Sequence, residues 1–336
     1  MTAISTPARR DSALTAADCL ARARALVTPA IEAAVLRLCP ALIPAVSQHL
    51  AGGGKHVRAG LVLASAAAAG AEDGTGVVGA TAIELVHNFS LVHDDIIDRD
   101  LERRHRPTVW AEHGVGHAII VGDALATLAF QVLLEEPTTQ RVRAAGRLAE
   151  ATQAMIAGQA EDMASELRVS LSVEECLEME AGKTGALLSC AAAMGAILAG
   201  APDSTIDALA DFGRHLGIAF QAIDDVLGIW GEPSATGKPV GNDLRQHKKT
   251  LPIAIALGLG DGLSAGLAAL LERDLTEAEV AKATLLLEQC GAREETIAVG
   301  DTQLDAALVA LERVPLAPEP KAELEAIARY VTERDR

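Results

Sequence analysis

The sequence predicts an all-α protein, folded as one bundle of ten or more helices joined by short loops. Three spans lack proline and are rich in Ala, Leu and Glu: residues 45–106, 138–201 and 253–314. Apolar residues recur in these spans at the spacing of a helix, and no segment shows the strict alternation of a half-buried strand. Half of the residues are apolar but only 2% are aromatic, and such small side chains suit helices that pack closely together.

Composition narrows the class of protein. The formal net charge of −17 argues against nucleic acid as a partner, because phosphate backbones bind basic surfaces. Five scattered cysteines without CxxC spacing favour reduced thiols in a cytoplasmic protein. The N-terminal sequence MTAISTPARRDS lacks the apolar core of a signal peptide, so we expect a disordered tail over residues 1–12 and one domain over residues 13–336. The uncharged stretch 184–202 is mostly Ala and Gly, which predicts a buried helix and no integral membrane association.

Three loops rich in Gly, Pro and charge interrupt the helices, at residues 52–58, 99–116 and 231–250. The second and third loops each follow a cluster of aspartates, so each cluster is expected to lie near the end of a helix. The first cluster contains Asp94, Asp95 and Asp98, and the second contains Asp224 and Asp225. Asp94 and Asp98 are four residues apart and would therefore share one helical face.

Both acidic clusters are followed by Arg or Lys. Carboxylates this close repel one another unless a cation lies between them, and Mg²⁺ binds through a few carboxylates together with phosphate oxygens. The basic residues would hold the remaining phosphate charge. The sequence therefore predicts a site that binds a diphosphate through magnesium. A solvated acidic helix face explains one cluster but not two, and an EF-hand calcium loop lacks the required pattern here.

Seven segments carry the polar and charged residues of interest: GGGKHVR at 52–58, ELVHNFSLVHDDIID at 84–98, RRHRPT at 103–108, GQAED at 158–162, Lys183-Thr184, FQAIDD at 220–225 and GKPVGNDLRQHKKTLP at 237–252. In order and spacing, these segments resemble motifs of the trans-isoprenyl diphosphate synthases, which make geranyl, farnesyl, geranylgeranyl and longer diphosphates. The resemblance implies an all-α bundle around a deep central cavity, usually assembled as a homodimer.

The resemblance also implies two diphosphate subsites and a metal site. Isopentenyl diphosphate would bind Lys55, Arg58, His87 and Arg104, and the allylic diphosphate would bind Arg103, Lys183, Thr184, Gln221, Lys238 and Lys248. Mg²⁺, roughly three ions per active site, would be held by Asp94, Asp98, Asp224 and Asp243, with Asp95 and Asp225 completing or orienting the metal shell. Catalysis would rest mainly on the aspartates of both clusters with Arg103, Lys183 and Lys238, and Gln159 and Asp162 would form part of the wall.

The implied reaction is a head-to-tail condensation. The allylic carbon–oxygen bond breaks, the double bond of isopentenyl diphosphate attacks the cation, and a proton is lost. Phe89 and Ser90 occupy the fifth and fourth positions before the first motif. An aromatic residue at the fifth position with an uninterrupted motif resembles the synthases that stop at geranylgeranyl diphosphate, with farnesyl diphosphate as the alternative product and an ordinary core role as the alternative for Phe89.

Two positions depart from the family pattern. Gly228 stands where a third aspartate is common in the second motif, and His105 stands where glycine is usual in the RRHRPT segment. A terpene cyclase on the same fold is the nearest alternative function, but it would not need the isopentenyl subsite. A non-catalytic partner subunit is a further alternative, and it would be expected to have lost aspartates or basic residues.

Overall fold

The computed structural model describes residues 15–333 except 73, 167, 169 and 233–239. The predicted tail over residues 1–12 lies outside that part of the chain, and the prediction of one domain stays a prediction. The helices are α1 Ala16–Val35, α2 Ile43–Ala51, α3 Val57–Ala68, α4 Val77–Ile97, α5 Val109–His113, α6 Val115–Leu134, α7 Thr139–Ser165, α8 Val173–Glu180, α9 Ala186–Leu198, α10 Asp203–Trp230, α11 Asn242–Arg245, α12 Leu251–Gly258, α13 Gly262–Leu271, α14 Glu277–Gln289, α15 Ala292–Glu312 and α16 Pro318–Thr332. The all-α prediction is confirmed.

Two short segments, one after α4 and one after α8, form regular structure other than α-helix. A π-helical turn, Ala181–Gly185, joins α8 to α9. A small hairpin of β1 Glu102–Arg103 and β2 Arg106–Pro107 lies in the loop after α4, with two antiparallel strands. This hairpin was not predicted, because two residues per strand are too few to show an alternating pattern.

The core is built around α4, α9 and α10. Helix α10 packs against α9 and α15, α4 packs against α6, and α3 packs against α9. Residues 187–197 of α9 are all buried, which confirms the predicted buried helix within residues 184–202. A Cβ atom at Gly195 of α9 would lie 2.2 Å from the backbone oxygen of Val62 in α3. The small residues of α9 therefore let neighbouring backbones approach more closely than branched side chains would allow.

Within the part of the chain that the structure describes, two segments are long and apolar enough to cross a membrane by length and composition alone, Val115–Leu134 and Val173–Leu198. In the second segment, 78% of the apolar window is buried in the bundle, so packing accounts for its composition. In the first, α6, only 44% of the window is buried. One apolar face of α6 is therefore exposed on this chain.

The two aspartate clusters lie at helix ends, as predicted. Asp98 forms the C-terminal cap of α4, and Asp224 and Asp225 lie in the last two turns of α10, which ends at Trp230. Lys248, which follows α10 in the chain, forms an ion pair with Asp98 at the end of α4.

Candidate active site

Four predicted basic-site residues line one cavity of about 930 Å³ between α1, α2, α3, α4 and α10. They are Lys55, Arg58, His87 and Arg104, and we call them the basic half of the site. Asp224 of α10 lines the same cavity. The structure therefore brings residues from three sequence motifs to one space and places a carboxylate of the second cluster at its edge.

The imidazole of His87 is held neutral in this cavity. Burial lowers its pKa well below the ordinary value, and the nearby Arg58 and Arg104 lower that pKa further. Its Nε2 atom lies 3.4 Å from Nη1 of Arg58. The positive charge of the basic half therefore comes from arginine and lysine, and His87 contributes a hydrogen-bonding group.

A buried carboxylate that the sequence analysis missed lies beside the basic half. Glu84 is 5% exposed, and its Oε1 atom accepts a hydrogen bond from the backbone N–H of Ala59 at 3.2 Å. Its Oε2 atom lies 3.4 Å from Nδ1 of His56. Burial lowers the pKa of Arg58 while Glu84 raises it. A single acid in an otherwise apolar helical stretch was the available signal, since a buried charge needs partners.

The hairpin after α4 carries Arg104 of the basic half in its turn. Its two-residue turn consists of Arg104 and His105, with φ values of 53° and 60°. Both residues are thus left-handed, as a type I′ hairpin turn requires, and this turn favours glycine or asparagine. The requirement explains why glycine is usual at position 105. We infer that His105 tolerates backbone strain there, which is common near functional sites.

Carboxylates of the first cluster and of two other segments lie around Lys183 and Lys248. The Oδ2 atom of Asp98 lies 3.9 Å from Nζ of Lys248, and Asp162 accepts a hydrogen bond from Nζ of Lys183. Burial lowers the pKa of Lys248, but Asp98, Asp243 and Asp162 together raise it above its ordinary value. We call Asp94, Asp98, Asp162 and Asp243, with Lys183 and Lys248, the acidic half of the site.

Asp94 shows how crowded this acidic half is. Burial raises the pKa of its carboxyl to about 6, and the neighbouring Asp98 raises it as well, while Lys183 lowers it. Additional positive charge near Asp94 would favour its ionised form. Within the described residues, no three His, Cys, Asp or Glu side chains already form a metal site.

The π-helical turn places Lys183 in the acidic half. A Cβ atom at Gly158 of α7 would lie 2.4 Å from the backbone nitrogen of Lys183, and a Cβ atom at Gly217 of α10 would lie 2.4 Å from Cα of Gly185. Neither position could carry a side chain without moving the turn. The turn is therefore clamped between two helices, and π turns of this kind are frequent at functional sites.

The second aspartate of each cluster is turned toward the protein. Asp95 is fully buried, and its Oδ1 atom accepts from Nε of Arg103 at 2.7 Å. Asp225 accepts from Nε2 of Gln221 at 2.9 Å and from the backbone N–H of Leu251 at 2.8 Å. These contacts support an orienting role for both aspartates. Direct contact of Arg103 with the allylic diphosphate stays a prediction.

Thr184 and Gln221, both predicted to bind the allylic diphosphate, contact each other. The hydroxyl of Thr184 donates to Oε1 of Gln221 at 2.9 Å, and the amide of Gln221 continues to Asp225. A hydrogen-bonded relay thus runs from the π turn through α10 to the start of α12. Contact of these two side chains with substrate stays a prediction.

Comparison with known proteins decides the family. Residues 40–287 match the family model described as polyprenyl synthetase. This chain belongs to the polyprenyl synthetase family. It is 42% identical to (2E,6E)-farnesyl diphosphate synthase of Mycobacterium tuberculosis strain H37Rv over 331 residues, which cover 94% of this chain and 92% of that protein. It is 41% identical to a geranylgeranyl diphosphate synthase of the same strain over 314 residues, covering 89% and 90% of the two chains.

Solved structures agree with this assignment. The polyprenyl synthetase of Streptomyces coelicolor A3(2) has a TM-score of 0.89 and 46% identity, and the match covers 93% of this chain and 98% of that one. The geranylgeranyl pyrophosphate synthase of Corynebacterium glutamicum, complexed with isoprenyl diphosphate and magnesium, has a TM-score of 0.86 and 28% identity over 96% and 100% of the chains. As a polyprenyl synthetase, the chain is a prenyl diphosphate synthase and therefore a transferase.

A second buried acid of this synthase was missed by the sequence analysis. Glu180, the last residue of α8, is 4% exposed and lies near Asp225. Burial and the charge of Asp225 raise the pKa of Glu180 well above its usual range, and burial raises the pKa of Asp225 to about 7. The thiol of Cys176 donates to Oε1 of Glu180 at 3.4 Å. Nothing in the local sequence distinguishes Glu180 from the exposed acids around it.

The other residues predicted from the sequence lie in different environments. Lys238 lies outside the described residues. Phe89 is 9% exposed and packs edge-on against the ring of His93, with centroids 4.9 Å apart. The hydroxyl of Ser90 donates to the backbone oxygen of His87 at 2.9 Å. The Oε1 atom of Gln159 is buried without a hydrogen-bond partner among the described residues.

Proposed function

We propose that this synthase condenses isopentenyl diphosphate with an allylic diphosphate in a head-to-tail reaction and releases geranylgeranyl diphosphate. One observation carries the proposal. A cavity lined by Lys55, Arg58 and Arg104 lies beside an acidic half in which Asp98 of the first cluster, Asp162 and Asp243 surround Lys248. Two chemically different diphosphate subsites are needed for a condensation, whereas a cyclase would need only the metal-dependent one.

The basic half would bind isopentenyl diphosphate directly. Arginine forms paired hydrogen bonds with phosphate oxygens, and such charge-assisted bonds are about twice as strong as neutral ones. Neutral His87, beside Arg58, would add one hydrogen bond without adding charge. This arrangement holds the diphosphate end and leaves the double bond free to approach the allylic carbon.

The acidic half would hold the leaving diphosphate. Asp94, Asp98 and Asp243 of this half, together with Asp224 from the adjoining cavity, would hold Mg²⁺, which when bound supplies positive charge to the diphosphate oxygens. Lys183 and Lys248 would contribute fixed positive charge to the same oxygens as the carbon–oxygen bond breaks. Donors placed in advance lower the barrier because they need little rearrangement during the reaction. The apolar wall of the bundle would exclude water, which would otherwise quench the allylic cation.

Product length would depend on Phe89. Phe89 is a buried residue of α4, the helix that carries the first aspartate cluster. Geranylgeranyl diphosphate is our proposed product, and farnesyl diphosphate is the second candidate because a farnesyl diphosphate synthase is 42% identical to this chain. The test is incubation with isopentenyl diphosphate, each of three allylic primers and Mg²⁺, followed by chromatography of the dephosphorylated products.

Four results of that test are distinguishable. A twenty-carbon alcohol as the end product supports the proposal, and a fifteen-carbon alcohol replaces it with the second candidate. Cyclic hydrocarbons would indicate a cyclase, and no product from any primer would indicate a non-catalytic partner. Phe89→Ala should then lengthen the product, whereas Leu85→Ala, a fully buried core position of the same helix, should not. Equal lengthening in both variants would remove Phe89 from that role.

We also propose that two copies associate through α6 in the cytoplasm. Its exposed apolar side chains include Val115, Ile119 and Ile120, which are 46%, 44% and 54% exposed. Covering such a face removes apolar area from water. Ile120→Glu should halve the mass measured by light scattering, and Leu285→Glu, an exposed apolar position on α14, should leave it unchanged. A monomeric wild-type protein would contradict the proposal.

A further inference from the structure

The first turn of α3 carries Arg58 of the basic half and takes its cap from another helix. Helix α3 begins at Val57, and within the described part of the chain the preceding residue, His56, makes no side-chain hydrogen bond that caps it. Ser, Thr, Asp and Asn usually precede a helix, because their side chains accept hydrogen bonds from N–H groups of the first turn. At the start of α3 this acceptor has to come from elsewhere in the fold.

Glu84 of α4 is that acceptor. Its Oε1 atom accepts from the backbone N–H of Ala59 at 3.2 Å, and Ala59 is the third residue of α3. An N-cap side chain bonds to the second or third N–H of its helix in the same way. The Oε2 atom of Glu84 lies 3.4 Å from Nδ1 of His56. One buried carboxylate therefore contacts the chain on both sides of Arg58.

The backbone between Lys55 and α3 is held in a strained conformation. The φ value of His56 is 51°, in the left-handed region that residues other than glycine seldom adopt. Lys55 and Arg58 lie on either side of this residue and line the same cavity. Strain of this kind persists only where the surrounding structure fixes it, and Glu84 is the group that contacts the His56 side chain here.

The body of α3 is held by packing instead. Leu61 and Val62 are fully buried. A Cβ atom at Gly60 would lie 2.9 Å from Cδ2 of Leu20 in α1 and 3.3 Å from Cδ1 of Ile327 in α16. Neighbouring helices thus fix α3 along its length, whereas Glu84 fixes the end of the helix that faces the cavity.

A carboxylate in a subsite for a diphosphate is unexpected from charge alone, because it repels the anion. Glu84 nevertheless lines the same cavity as Lys55 and Arg58. We propose that Glu84 and His56 are positioning residues of the isopentenyl diphosphate subsite, and that they fix Lys55 and Arg58 by capping α3 from α4. The inference rests on the proposed function. It requires the gain from positioning to exceed the repulsion between Glu84 and the diphosphate.

The test is the affinity for isopentenyl diphosphate, measured by calorimetry without Mg²⁺ or allylic substrate. Glu84→Ala removes the repelling charge together with the hydrogen-bond acceptor, and we expect the Kd to rise about 10-fold or more. Glu84→Gln removes the same charge but keeps an acceptor for the N–H of Ala59, so its Kd should stay within about 3-fold of the wild-type value. An effect of charge alone would instead tighten binding in both variants.

Glu323→Ala is the matched control for loss of a buried acid. Glu323 of α16 is also 5% exposed, and it pairs with Arg22 of α1 away from the residues that line the cavity. Its removal should lower stability and leave the Kd for isopentenyl diphosphate unchanged. In Glu84→Ala the KM for the allylic substrate should also stay unchanged, because that substrate binds the acidic half. General damage to the fold would not separate the two substrates.

Two variants at position 56 test the backbone conformation. Glycine adopts a positive φ without steric cost, whereas a β-branched residue does not. His56→Gly and His56→Val both lose the imidazole, so a difference between them reports on the backbone. His56→Val should weaken binding of isopentenyl diphosphate about as much as Glu84→Ala does, and His56→Gly should bind more tightly than His56→Val.

The outcomes separate this inference from the function beneath it. A wild-type protein that binds no isopentenyl diphosphate would overturn the proposed function and the inference together. Wild-type binding with no loss of affinity in Glu84→Ala would overturn the inference alone, and so would equal losses in Glu84→Ala and Glu84→Gln or in Glu84→Ala and Glu323→Ala. Thermal unfolding identifies a Glu84→Ala protein that fails to fold. The pair at position 56 then decides, and equal affinities of His56→Gly and His56→Val would overturn the inference.

Discussion

The two halves of the site solve opposite electrostatic problems. In the basic half, Arg58 and Arg104 share a cavity with two carboxylates, the buried Glu84 and Asp224. In the acidic half, several carboxylates surround Lys183 and Lys248. The first half has an excess of positive charge and suits a diphosphate directly. The second has an excess of negative charge and suits a diphosphate only when divalent cations accompany it.

The pKa shifts express the same difference. Burial lowers the pKa of Arg58 and raises the pKa of Asp94 to about 6, so both halves disfavour their own charge when no ligand is present. An anion in the basic half and a cation in the acidic half would each relieve this cost. Both ligands should therefore stabilise the folded chain, by an amount that grows with the ratio of ligand concentration to Kd.

Removal of a carboxylate from the acidic half should have the largest effect on catalysis. Asp94→Ala is expected to lower kcat by about 10²- to 10³-fold or more, because it removes charge stabilisation of the leaving group. Binding of isopentenyl diphosphate alone should change by only about 2- to 3-fold, since its subsite is the other half. Steady-state kinetics and calorimetry measure the two quantities. Asp207→Ala, exposed on α10, is the control, and normal turnover in Asp94→Ala would refute the metal assignment.

Substitutions in the two halves of the site should raise the KM values of different substrates. Arg58→Ala removes charge-assisted hydrogen bonds and should raise the KM for isopentenyl diphosphate by about 10- to 100-fold, while changing the KM for the allylic substrate far less. Lys183→Ala should do the opposite. Kinetics with each substrate varied in turn provide the measurement. Equal effects of both variants on both KM values would show that the two halves do not bind separate substrates.

The sequence predicted the members of the site better than their contacts. Lys55, Arg58, His87 and Arg104 were identified by motif and do line one cavity. The partner of each residue was not predictable, because pairs such as Lys183 with Asp162 depend on how α7 packs against the π turn. That packing depends on glycine contacts between distant segments, which no local pattern shows.

The same difference between local sequence patterns and long-range packing explains which parts of the fold were predicted and which residues were missed. Helical period and proline spacing predicted the helices, since these are local properties, whereas the hairpin at residues 102–107 was too short to leave a pattern. Glu84 and Glu180 were missed because the burial of a single acid is decided by neighbouring helices. Lone acids in strongly apolar stretches, such as Glu84, are the class that sequence reasoning could have found.

Glu84 should support the basic half through its charge. Glu84→Gln keeps the shape of the side chain but removes one of the carboxylates that raise the pKa of Arg58 and Arg104, so the free energy of unfolding should fall by about 1 to 3 kcal/mol. Inorganic pyrophosphate should restore part of this loss by supplying negative charge to the same cavity. Urea unfolding with and without pyrophosphate is the measurement. The surface acid Glu150, which pairs with Arg147 at 3.7 Å, is the control, and Glu150→Gln should cost less than about 1 kcal/mol.

The smallest effect is expected from the buried acid behind the acidic half. Burial raises the pKa of Asp225 to about 7, so the folded chain holds a proton more tightly there than the unfolded chain does. The stability from this group is present below the unfolded pKa and is lost as the pH rises toward 7. Glu180→Gln removes one of the two acids and should reduce this loss.

Measured by urea unfolding at pH 5 and pH 8, the wild type should therefore lose more stability than Glu180→Gln. We expect a difference on the order of 1 kcal/mol, the equivalent of about one pKa unit. Glu178→Gln changes an exposed position of the same helix, and it should lose as much stability between pH 5 and pH 8 as the wild type does. If Glu180→Gln also follows the wild type, the two carboxyls titrate independently, and Glu180 has no part in setting the charge of Asp225. If it loses more stability than the wild type, the sign of the raised pKa is wrong.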